Sequence, residues 1–117
     1  MSGWTRFSRA DMQAKLVALV RALGVEHRVE GDTLWTRDAD YSIVSSLQEA
    51  VREWAVGPHN CFRGTGGKDP SLYGRYRAYM AEHGIPCVEQ DGSEGLWFIL
   101  RREDDAYEWG VEQWVRS

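Results

Sequence analysis

Apolar residues fall three and four positions apart from Met12 through Leu16, Leu19, Val20 and Leu23, the spacing of one helix face. Ser8 and Asp11 precede them in the S-x-x-D form of a capping box, and Gly24 follows where a left-handed residue ends a helix. The period then drops to two at Val25, His27 and Val29, which predicts a strand. Gly31-Asp32 supplies a turn and Leu34-Trp35-Thr36 a short second strand. Asp38 or Asp40 caps the next helix, which carries Ile43, Leu47, Ala50 and Trp54 on one face.

The same order returns 60 positions later, where Gly84 answers Gly24, Val111 answers Val51 and Trp114 answers Trp54. Asp69 is the cap, Pro70 the first helical residue, and Leu72, Tyr76, Tyr79, Met80 and His83 the buried stripe. Residues 85–90 form a strand, 91–95 a turn and 96–101 the returning strand; Asp104 or Asp105 then caps a helix bearing Tyr107, Val111 and Trp114. The pattern predicts an α+β protein, with two tandem α-β-β-α repeats joined about a pseudo-twofold axis. Their hairpins make a four-stranded antiparallel sheet packed with helices. It is a single domain over 1–117, with repeat one at 8–56, a linker at 57–69 and repeat two at 70–117. The unbroken apolar run Leu96-Trp97-Phe98-Ile99-Leu100 places its strand centrally, covered on both faces, or else at a homo-oligomer contact.

Composition narrows the partners. At 117 residues and 43% hydrophobic, with six tryptophans, the chain can bury a core. A net charge of −4 argues against general attraction to phosphate backbones, so direct nucleic-acid binding is disfavoured. Two cysteines make no disulfide framework, and no run is long enough to span a bilayer or to act as a secretory signal; a cytoplasmic location without membrane contact is expected.

Candidate chemistry is sparse. The segment from Gly57 to Asp69 lacks apolar periodicity, yet Phe62 and Asp69 break the phosphate-loop pattern and Asp69 breaks the dinucleotide one. His59 and Cys61 lie close enough for a base and a thiol nucleophile, and with His83 and Cys87 they offer zinc ligand types at unusual spacings. Cys87 on an apolar-flanked strand and His83 at a helix end read more simply as packing and as a dipole partner. No cofactor or metal is expected. The last helix carries Asp104, Glu108 and Glu112 every four residues, with Trp109 away from its apolar stripe. Such an acidic and aromatic surface suits a basic protein face. Arg63, Lys68, Arg75 and Arg77 give the linker and third helix a basic side, with Tyr73, Tyr76 and Tyr79 interleaved at core-like spacing; Arg63 and Lys68 join the binding set.

Gly24-Val25, Leu34-Trp35 and residues 50–54 resemble the small α-β-β-α cytosolic domain that precedes the membrane core of some rhomboid proteases. Residues 83–88 are similar to the short putative signal-transducing domains of bacteria. Neither resemblance brings catalytic residues, and together they imply an accessory or regulatory binding module. The expected function is therefore a non-enzymatic regulator, adaptor or inhibitor that binds a protein or nucleoprotein complex. Size and acidity suit a phage-type inhibitor of a host defence complex. The competing expectation is an enzyme or small-ligand protein using His59, Cys61 and the glycine-rich loop.

Overall fold

In the computed structural model, residues 1–63, 69–92, 95–104, 110 and 113–114 are described, the side chains of 60–63 excepted. Five alternating residues at the N-terminus, Gly3–Phe7, form β1, with Thr5 and Phe7 buried and Trp4 and Arg6 on the opposite face. Helix α1 covers Ala10–Ala22, followed by β2 (His27–Glu30), β3 (Thr33–Thr36) and α2 (Tyr41–Val56). Then come β4 (His59–Arg63), α3 (Tyr73–Glu82), β5 (Cys87–Gly92) and β6 (Gly95–Arg101).

The protein is α+β with an antiparallel sheet, but among the described residues the sheet has six strands in the order β2-β3-β1-β5-β6-β4 rather than four. Both additional strands come from segments that carry little apolar signal. β1 precedes the expected first unit, and β4 occupies the first part of the expected linker. Each half therefore runs strand, helix, hairpin. Most of the chain beyond Asp104, where a final helix was expected, lies outside the described residues.

Every neighbouring pair is antiparallel, including the join between halves, Arg6 opposite Asp91 and Phe7 opposite Gln90. The second half thus keeps the strand order of the first while reversing every direction. A half-turn about an axis lying in the sheet and crossing its strands does this, and it also exchanges the two faces. The cores agree. Met12, Leu16 and Val20 of α1 and Val44 and Val51 of α2 pack with Phe7, Leu34, Val88 and Ile99 on one face. Tyr76, Tyr79 and Met80 of α3 pack with Leu96, Phe98 and Leu100 on the other. The expected pseudo-twofold is thereby replaced by an open, screw-like relation along the sheet. β6 sits between β5 and β4 with apolar neighbours on both sides, which accounts for its unbroken run.

Helix ends follow their chemistry in part. Gly24 and Gly84 take φ of 69° and 63°, and behind them Val25 N–H donates to Val20 O and Ile85 N–H to Met80 O, the same closing bond in each half. Asp69 accepts from Ser71 N–H at 3.1 Å beside Pro70, opening a 3-10 turn that leads into α3. The capping box at Ser8 does not form, because α1 starts after Arg9 and Asp11 accepts from Arg9 and from Met12 N–H instead. Neither Asp38 nor Asp40 caps α2 through its side chain; Asp40 pairs with Arg37.

The buried face of α2 is one residue later than expected, at Val44, Leu47 and Val51, leaving Ile43 46% and Trp54 51% exposed. Trp54 instead receives the Lys15 ammonium 4.6 Å from its ring centre. Trp114 likewise receives the Arg75 guanidinium at 5.1 Å, so the same contact occurs at positions 60 apart.

Candidate interaction surface

The exchange of faces leaves the sheet unevenly covered. α1 and α2 serve one face, whereas the α3 cluster on the other face takes no residue from β1, β2 or β3. Among the described residues, that half-face has no helix over it.

Strand register sets what it displays. Arg28 of β2 lies opposite Trp35 of β3, and Trp35 lies opposite Trp4 of β1, so the three side chains form one rung across three strands. Trp4 is 37% exposed, Trp35 is half-buried, and the Arg28 guanidinium lies 5.7 Å from a Trp35 ring centre. Paired aromatic side chains on facing strands hold each other in place, presenting apolar area with little rotamer freedom left to lose.

Charges on the same face are matched internally. Arg28 Nε meets Glu30 at 2.9 Å, while Arg6 bonds Asp91 and lies 3.8 Å from Asp32. The Asp91 hydrogen bond, with the coulombic pull of Asp91 and Asp32, holds the Arg6 pKa above its ordinary value against some desolvation. At the border with α3, Arg77 Nε and Nη2 grip Glu89 at 2.9 and 2.6 Å. An arginine already bound to a carboxylate is a poor ligand for phosphate, so the patch is aromatic and electrically balanced.

The expected site residues are scattered or outside the described residues. Asp104 is 8% exposed and accepts from Arg101 Nε at 2.7 Å in a 3-10 turn, Arg102–Asp104, so its carboxylate faces inward rather than along a solvated stripe. Glu108, Trp109, Glu112 and Lys68 lie outside the described residues, and Arg63 is described only as the last residue of β4, opposite Trp97. Trp4, Trp35 and Arg28 escaped notice because a rung joins residues from three strands, and only strand register reveals it. The alternation of Trp4 and Arg6 with Thr5 and Phe7 was the available signal.

The two cysteines occupy different settings. Cys61 lies opposite Ile99 in β4, with its side chain outside the description. Cys87 packs beside the α3 cluster, where burial pushes its thiol up to about 11, with Glu89 adding and Arg77 opposing. At neutral pH such a thiol, partly buried at the edge of that cluster, stays protonated. Because its folded pKa is raised, its contribution to stability is present below the ordinary thiol range and lost as pH rises toward about 11. A urea titration series from pH 8 to 11 on the Cys61→Ser protein should show stability falling more steeply than when Cys87 is also replaced by alanine. Parallel curves would contradict this.

Two hollows are lined by other residues. One of about 580 Å³ lies between α1 and the β2-β3 turn, lined by Phe7, Gln13, Val17 and Val29 among others. Another of about 560 Å³ lies beside Pro58 and Arg101–Glu103. No helix among the described residues is long and apolar enough to cross a membrane. No family model, curated protein or solved structure significantly matches the chain.

Proposed function

We propose that this chain is a non-enzymatic binding regulator, of the adaptor or inhibitor kind, that grips a protein partner through Trp4, Trp35 and Arg28. The observation that carries this reading is the half-face of a six-stranded sheet left without a described helix while displaying two cross-strand tryptophans. Tryptophan dominates binding energy at protein interfaces because it buries a large rigid surface, and Arg28, held by Glu30, adds its flat guanidinium beside the Trp35 ring. The internal pairing of Arg6 and Arg28 and the net charge of −4 favour protein over bare nucleic acid. The narrower reading, an inhibitor of a host defence nucleoprotein complex, rests on small size and acidic charge.

Affinity capture from the source cell with the wild-type chain and a Trp4→Ala/Trp35→Ala variant tests the proposal. A protein held by the wild type should be lost from the variant, with at least about tenfold weaker binding on purified components, roughly 1.4 kcal/mol. Trp54→Ala, on the helix side of the molecule, should retain it. Equal capture by the double variant, or capture of nucleic acid alone, would refute the assignment.

A further inference from the structure

Glu49 and Glu53 lie one helical turn apart on α2 and share a side of it. The chain then turns through Gly57, whose φ of 81° suits glycine, and Pro58, bringing His59 at the start of β4 back beside them. One ligand atom from each of the three side chains lies within 4.8 Å of the other two. A triangle at that upper limit has its centre about 2.8 Å from each corner. Closing onto an ion at about 2.0–2.2 Å therefore asks for under about 1 Å of movement, which two exposed glutamates can supply.

A second observation is independent of that spacing. His59 Nδ1 is shielded from solvent and meets no hydrogen-bond partner among the described residues. Buried ring nitrogens are ordinarily matched, and an imidazole with an idle nitrogen is a ready metal ligand. Neither glutamate is engaged by any described residue, so no described cation competes for their oxygens.

We propose that Glu49, Glu53 and His59 form a binding site for a first-row divalent transition ion of the zinc type. Two carboxylates and one neutral imidazole balance a divalent charge. The imidazole selects zinc, cobalt or nickel over magnesium, which prefers oxygen ligands and keeps its water. Such an ion ties the C-terminal turn of α2 to the edge strand β4, so its binding energy adds to folding energy.

The test is calorimetric titration of the full chain with zinc and, separately, magnesium. One zinc per chain is expected, at least tenfold tighter than magnesium, with binding at least tenfold weaker in Glu53→Gln and in His59→Ala. Glu82→Gln, an exposed acid on α3, and Cys61→Ser should bind as the wild type does. Zinc should raise the melting temperature of the wild type and not that of Glu53→Gln, an exposed substitution that leaves the fold intact. Undiminished affinity in Glu53→Gln, equal binding of magnesium, or loss of binding in Cys61→Ser with a thiolate-to-cobalt absorption band would each overturn the site.

Discussion

Replacing Phe98 by alanine is expected to destabilise the chain by about 3–5 kcal/mol, as truncation of a fully buried aromatic side chain does. Phe98 is completely buried, its ring stacked on Tyr76 at 5.2 Å and edge-on to Tyr73 at 6.2 Å. It is the centre of the α3 face, flanked along β6 by Leu96 and Leu100. α3 contributes only Tyr76, Tyr79 and Met80 as buried residues, too few to close over a phenylalanine-sized void without shifting. Urea denaturation should show the loss as a lower midpoint, and amide exchange should show α3 losing protection before α1 and α2. Trp4→Ala is the control; on an exposed position it should cost under about 1 kcal/mol. A cost of that size for Phe98→Ala would mean that α3 does not depend on this strand.

That contrast between Phe98 and Trp4 explains what could be read from the chain directly. Local features were legible: the positive-φ glycines, the α1 stripe at Met12, Leu16 and Val20, both hairpins, and the two-sided burial of β6. Each follows from a period or from one residue's backbone freedom. β1 and β4 were not legible because five residues with a single turn of alternation sit below the signal of any window long enough to judge period. The face of α2 was misjudged because Ile43, Leu47, Ala50 and Trp54 make as good a stripe as Val44, Leu47 and Val51. Packing against α1 decides between them, and no local pattern reports it.

The proposed interaction surface lies further from local reading still. It follows from strand order kept while direction reverses, which puts α3 opposite α1 and α2 and leaves the rung Arg28-Trp35-Trp4 without a described helix over it. Asp104 shows the reverse case. Its place among acids spaced by four suggested a solvated stripe, yet Arg101, three residues earlier at the end of β6, draws it inward. A charge pattern along a helix speaks for exposure only if the helix begins where the pattern does.

Gln13→Leu should cost about 1–3 kcal/mol, because it strips Phe7 N–H of its partner and leaves Thr5 O with its ladder neighbour alone. Gln13 sits on the buried side of α1 between Met12 and Leu16, where a leucine would look like an improvement. Its side chain performs work that β3 has ceased to do. β1 pairs with β3 through Thr5 opposite Leu34, and beyond that point the hairpin is turning. Gln13 Oε1 accepts from Phe7 N–H at 2.9 Å and Nε2 donates to Thr5 O at 3.1 Å, continuing the ladder by one rung with a side-chain amide. Gln13 and Phe7 also line the hollow beside α1, so water entering there would bring the loss toward the lower end of that range. Gln13→Glu separates the two bonds through pH: the neutral acid keeps an acceptor and an O–H donor and should lie nearer the wild type at low pH, whereas the ionised carboxylate keeps the acceptor and loses the donor, so stability should fall as pH rises. Chemical denaturation of the three proteins decides the matter. If Gln13→Leu is as stable as the wild type, the apolar gain has offset both lost bonds, and the strand β1 is held by β3 and β5 alone.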